Sequence, residues 1–473
     1  MGRVILLGID GMDHGFVKEH LTQLPNLGKL AVEGVLAPLK SVFPADSIPA
    51  WITIFTGTGP DHHGIVESID YLKKDYKSFA INTRAFQGKT FWDEASAAGK
   101  RVCVVNPFLA YPVWPVNGVM LSGPVFISGG NQAYPTELLE SCPPPSLGGI
   151  VDFPTKKSLT SFVEKTTSDT RELASYTLEL CGREEWDLFF VSFFTLDRLQ
   201  HFLWRYCDPM DPTHPGANPH QDAILDLYRS FDAVVGDFYR RLGPEDTLMV
   251  ISDHGHGMRC TRLLNLNEFL RKKGYLKAPG SLLSKKYWLE KGKNLALQAL
   301  YRLRLEEYTK VIARVIPNPK RLKTAAHAIS SGASRARLAD FAGMGPYGGI
   351  RINEKAGQGE GYRQLVDEII GELEALNREH GDKLFQWIAR RGDRYNGKEI
   401  AVYPDIIFEL HEGLGVNWGL YLPLISTNPF HRGISGGHKT FGVLGISNCS
   451  PVEKLDSCDL TDIYRLVMSM LSS

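Results

Sequence analysis

Short, unbroken apolar runs alternate along the chain with stretches of helical period. RVILLGI (3–9), RVCVVN (101–106), DLFFVSFF (187–194) and DTLMVIS (246–252) lack the apolar/polar alternation of a half-exposed strand. They read as strands covered on both faces, the kind found in parallel sheets. Between the last two, Ile224, Leu225, Tyr228, Phe231, Val235, Phe238 and Leu242 recur at helical spacing, which predicts a helix over 221–242 stopped by Gly243-Pro244. Further strands are expected at GGIRIN (348–353) and DIIFEL (405–410), with a final helix from about 459. Strands alternating with helices predict an α/β fold with a mostly parallel central sheet.

Residues 271–345 break the alternation. Between Arg271 and Arg337 lysines and arginines crowd together (Lys272, Lys273, Lys285, Lys286, Arg302, Arg304, Lys320, Arg321, Lys323) against the acids Glu290, Glu306 and Glu307. NLALQALYRLRLEEYTKVIARVI carries a helical period within it. The expected organisation is a catalytic core over 1–270 and 346–473 with a basic, mainly helical cap inserted over 271–345. Such a segment is either a solvated basic surface or a lid that attracts an anionic substrate or a membrane surface.

Composition narrows the class. The chain has 473 residues, 43% hydrophobic and 22% charged, with formal net charge zero. Neutrality argues against a protein built for sequence-specific nucleic acid binding, which needs a basic surface. Seven scattered cysteines (Cys103, Cys142, Cys181, Cys207, Cys260, Cys449, Cys458) form no C-x-x-C pair and read as reduced thiols. GRVILLGID is too short for a signal peptide, and no apolar run reaches the length of a membrane span. A cytoplasmic protein is expected; its oligomeric state is not legible.

Candidate chemistry collects at strand ends. Asp10 follows the first apolar run, Asp197 the third, and Asp253 with His254 the fourth. In an open parallel sheet the C-terminal strand ends form the ligand crevice, so these groups should converge. His201 stands four residues after Asp197, one helical turn, so both can face one metal ion. ISGGHKTFGV (434–443) adds His438 among glycines. Mixed carboxylate and imidazole donors without thiolate suit a pair of borderline divalent ions. In FPADSIPAW (43–51) Ser47 admits two readings: the cap of a helix with Pro49 in its first turn, or a nucleophile at a helix N-terminus facing an anion.

GIDG, FPADSIPAW…TGTGPDHHGI, D-x-x-x-H, SDHGHG and GGH, in that order, resemble the alkaline phosphatase superfamily. The nearest branch is the type I phosphodiesterase/nucleotide pyrophosphatase family and its predicted phosphohydrolase/phosphomutase members. VNPFLAYPVWPVNGVMLSG (105–123) and LNLNEFLRKKGYL (264–276) extend the likeness over most of the chain. The resemblance implies an alkaline-phosphatase-like α/β/α sandwich and a hydrolase cleaving phosphodiester or pyrophosphate bonds of a small phosphorylated substrate. By the same resemblance Asp10, Ser47, Asp253 and His254 hold one metal ion. Asp197, His201 and His438 hold the other, zinc first and manganese second. Ser47 is the implied nucleophile and forms a phosphoseryl intermediate.

Lys439, Asn106 and Tyr111 are candidate substrate contacts; His256 is expected to orient its loop, and His62 and His63 match a structural H-G-I segment. His214 and His220 lie in a Pro-rich loop and read as solvated. Glu67 and Ser68 stand where nucleotide pyrophosphatases carry an asparagine, which weakens a nucleotide assignment. Trp51 occupies the position of the arginine in the sulfatase motif, which argues against a sulfatase. A phosphomonoesterase, a phosphomutase and an inactive metal-binding scaffold are the rival readings.

Overall fold

The computed structural model describes residues 2–66, 86–148, 153–278, 284–304, 333–339, 343–353, 359–448 and 458–472. The chain forms two compact units, residues 1–257 with 436–473, and residues 258–435.

Among the described residues of the first unit, a nine-stranded sheet comprises β1 (Val4–Ile9), β2 (Val35–Lys40), β3 (Val102–Val105), β4 (Gly118–Ser122), β5 (Gln132–Tyr134), β6 (Leu188–Phe193), β7 (Thr247–Ile251), β8 (Phe441–Ile446) and β9 (Cys458–Asp459). Its order is β9-β2-β8-β7-β1-β6-β3-β4-β5. β1 lies between β6 and β7, parallel to both, and β3 is parallel to β4 and β6. β8 runs antiparallel between β2 and β7. The four apolar runs are therefore the sheet's contiguous parallel centre, and every residue of β1, β3 and β6 is buried. The predicted helix is present as Ala223–Tyr239 and the last one as Leu460–Ser472.

One side of the sheet carries an aromatic cluster that seats the Ser47–Thr56 helix. Eight of its ten residues are buried. Phe55 meets Trp92 at 4.8 Å and Phe190 at 5.7 Å between ring centroids, both edge-on. Such pairs add about 0.5–1.5 kcal/mol each beyond the area they bury. Asp46, not Ser47, caps this helix: its side chain accepts from the Ile48 N–H, and Ser47 is the first helical residue. Of the two readings of Ser47, the cap of this helix therefore falls to Asp46 instead. A carboxylate in the extended residue before the helix satisfies the orphan donor, which leaves the serine hydroxyl available for other work.

The second unit has its own apolar core, with Ile350, Phe408, Ile369 and Leu373 among its buried residues. Tyr347–Ile352 pairs antiparallel with Ile406–Leu410, the two strands expected near 348 and 405. The segment expected as a basic cap over 271–345 falls inside this unit. Its described parts include the Lys285–Arg302 helix and the Ala336–Leu338 strand, and residues 305–332 lie outside the described residues.

Candidate metal centre

Asp10 leaves the end of β1, Asp253 and His254 follow β7, and Asp197 with His201 sits on the Thr195–Cys207 helix after β6. Because β6, β1 and β7 are parallel neighbours, their C-terminal ends bring together residues that stand more than fifty positions apart in sequence. The turn after Asp10 needs Gly11: its φ is +72°, and a Cβ there would stand 3.0 Å from the Asp197 side chain. His438 arrives on the short Gly436–Lys439 strand, which pairs with Gly255–Met258.

Two clusters result. Asp10, Asp253 and His254 form one, all buried; Asp197, His201, His256 and His438 form the other. In the first, His254 Nε2 lies 3.2 Å from Asp253 Oδ2 and 3.6 Å from Asp10 Oδ1. Ser47 Oγ joins it at 3.1 Å from His254 Nε2 and 3.4 Å from Asp10 Oδ1. In the second, Asp197 Oδ1 stands 3.3 Å from His201 Nε2 and 3.4 Å from the Nε2 atoms of both His256 and His438. The His254 and His438 rings stack at 4.0 Å, so the clusters are neighbours.

Both clusters fit a cation. Donors bound to zinc at about 2.0–2.1 Å in a tetrahedral array stand about 3.3–3.4 Å from one another, the spacing found around Asp197. Among the described residues, Asp253 Oδ2, Asp197 Oδ1 and both ring nitrogens of His256 are buried with no hydrogen-bond partner. Backbone carbonyls set the imidazoles: the Nδ1 atoms of His201, His254 and His438 lie 3.0–3.1 Å from the carbonyls of Gly436, Gly255 and Ala45. An Nδ1–H donated to a carbonyl turns Nε2 inward. His201 Nε2 and His438 Nε2 then face each other at 3.1 Å, an arrangement that requires a positive charge, a proton or a metal ion.

The electrostatics carry the same demand. Burial, then the charges of Asp253 and Asp197, push the Asp10 carboxyl well above its usual range; Asp253 rises through burial and Asp197. Burial holds the His254 and His256 imidazoles well below theirs. Burial opposes the charge on Asp197, but His201 and His438 overcome it and hold that carboxyl well below the usual value. Burial likewise lowers His438, yet its close contact with the Asp197 carboxylate pushes it up to about 9.

Other candidates lie elsewhere. Asn106 is buried, its amide donating to the Ser192 carbonyl and its oxygen accepting from Gly148 N–H. Tyr111 has its hydroxyl beside Gly129. Lys439 lies along Gly257, and its charge acts on Asp13. Arg198 donates to the Gly148 carbonyl. His63 ties Thr53 to the Ile65 N–H. Glu67 and Ser68 lie outside the described residues. His256, expected only to orient its loop, places its ring in the second cluster; its burial two residues after His254 is a signal that spacing alone does not carry.

The sequence profile of the type I phosphodiesterase/nucleotide pyrophosphatase family matches residues 4–338, and the chain belongs to that family. It is similar to ectonucleotide pyrophosphatase/phosphodiesterase family member 3 of Bos taurus, 28% identical over 127 residues, 25% of this chain and 14% of the relative. It is similar also to venom phosphodiesterase 2 of Crotalus adamanteus, 27% identical over 143 residues, 28% of this chain and 17% of the relative. The matched region thus spans less than a fifth of either relative. Phosphonoacetate hydrolase from Sinorhizobium meliloti 1021, solved in complex with phosphonoacetate, aligns over 99% of this chain and 96% of its own with a TM-score of 0.54 and 13% identity. The shared fold is the alkaline-phosphatase-like α/β sandwich.

Proposed function

We propose that this chain is a metal-dependent phosphohydrolase that cleaves phosphodiester or pyrophosphate bonds with Ser47 as nucleophile at a two-ion centre. The observation that carries the reading is the seat of Ser47, whose Oγ lies 3.1 Å from His254 Nε2 and 3.4 Å from Asp10 Oδ1 at the start of a buried helix. Asp10, Asp253, His254 and Ser47 would hold one divalent ion. Asp197, His201 and His438 would hold the other, with His256 beside them.

When bound, the two ions lower the pKa of a coordinated hydroxyl and neutralise phosphoryl charge. Ser47 Oγ bonds to phosphorus in line with the scissile P–O bond, whose electron pair leaves with the departing oxygen. A water oxygen then displaces Ser47 from phosphorus and releases the product. Zinc suits these nitrogen and oxygen donors best, with manganese next.

Diesters and pyrophosphates are the favoured substrates, with monoesters second. The family description and the names of the relatives point the same way.

Ser47→Ala tests the mechanism. Loss of a nucleophile removes orders of magnitude in turnover. The variant should bind two ions per chain and melt close to the wild type, since Asp46 supplies the cap. Wild-type turnover by Ser47→Ala would end this reading.

A further inference from the structure

We propose that Trp51 is a positioning residue that fixes Asp10 so that a single carboxylate oxygen, Oδ1, faces the metal. This rests on the two-ion reading of the centre. Asp10 is 2% exposed, and its two oxygens have different partners. Oδ1 looks toward Ser47 and His254, whereas Oδ2 accepts the indole N–H of Trp51 at 3.0 Å. An indole N–H is a donor only, and once buried it must find an acceptor or lose its hydration without return. Trp51 is fully buried, so the bond fixes both partners.

The geometry follows from two local periods. Trp51 stands four residues after Ser47 in one helix, so nucleophile and indole project from the same face. Gly8 stands two residues before Asp10, so it presents the same face of β1 that Asp10 continues. The indole lies across that glycine: a Cβ on Gly8 would stand 2.5 Å from its Cη2 atom. Phe55 and Phe190 close on the ring at 5.7 and 6.5 Å between centroids. The ring is thus clamped by the core while its one polar atom reaches the candidate ligand. With Oδ2 holding the indole N–H, Oδ1 is the oxygen that Asp10 presents to the ion.

Trp51→Phe removes the N–H and keeps an aromatic ring in the clamp. In metal-free protein titrated with zinc against a chromophoric chelator, one of two ions should bind about 10–100-fold more weakly, the usual cost of losing an outer partner of a ligand. The other ion should keep its wild-type affinity, a split that loss of packing alone would not produce. Wild-type affinity for both ions in the variant overturns the proposal. The wild type supplies a reading that needs no variant: with 15N-labelled tryptophan, the Trp51 indole resonance, assigned through its contacts with Gly8 and Phe190, should shift as zinc binds. A resonance unmoved while two ions bind overturns the proposal; a wild type that binds no zinc overturns the two-ion reading itself.

Discussion

Asp197 carries the second cluster, since three imidazole nitrogens lie 3.3–3.4 Å from its Oδ1. Replacing Asp197 or His201 by alanine should lower the bound metal by about one equivalent, and excess zinc should restore part of it by mass action. Unchanged stoichiometry in both variants, read by elemental analysis after gel filtration, would return the pair to ordinary helix residues. His256 makes a separate case: among the described residues neither of its buried ring nitrogens has a hydrogen bond, and Nε2 lies 3.4 Å from Asp197 Oδ1. A packing residue would leave metal affinity alone. A residue bonded to the ion or to Asp197 would not, and His256→Ala should weaken that one ion by about 10-fold or more. Chelator competition decides between them.

At the scale of elements, the Ser47–Thr56 helix is tied to the following Pro60–His63 turn by a relay. Ile65 N–H donates to His63 Nδ1, His63 Nε2–H donates to Thr53 Oγ1, and the Thr53 hydroxyl donates to the Pro49 carbonyl. The relay needs a neutral imidazole with its lone pair on Nδ1. Burial pushes the His63 pKa down to about 3 from its ordinary 6.5. Below pH 6.5 the unfolded chain takes up this proton and the folded chain does not, so stability falls as pH drops from 6.5 toward 3 and is complete above 6.5. Thermal melts of His63→Gln should lose less stability than the wild type across that window. Parallel curves for the two proteins would show that His63 contributes nothing to acid lability.

At the scale of the molecule, the substrate reading and the basic segment make one prediction each. With metal, pH and salt held constant, kcat/KM for bis(p-nitrophenyl) phosphate should exceed that for p-nitrophenyl phosphate. A clear preference for the monoester would promote the phosphatase or phosphomutase reading. If the lysines and arginines of 271–337 attract an anionic substrate, kcat/KM for a nucleotide pyrophosphate should fall as ionic strength rises. Lys285→Glu with Arg302→Glu, both exposed on the Lys285–Arg302 helix, should flatten that dependence. A salt response unchanged by the double variant would leave the segment a solvated surface.

The central strands could be read directly from the chain, because an unbroken apolar run such as VILLGI or LFFVSF is stable only when both its faces are covered. The strand-end acids followed, since parallel strands deliver their C-terminal residues to one edge, and the Asp197–His201 pair followed from the pitch of a helix. What the linear pattern could not supply were relations between distant residues of similar character. Asp46 and Ser47 are both good helix caps, and only the course of the backbone decided that Asp46 takes that place. His256 looks like its neighbours in a glycine-rich loop until the Asp197 helix and the Gly436–Lys439 strand close around it. Trp51 is buried in the core, yet its one polar atom meets Asp10 only because Gly8 leaves room for the ring. Burial patterns are written locally, residue by residue. The direction of a lone pair or an N–H is settled only when the partner arrives from elsewhere in the chain.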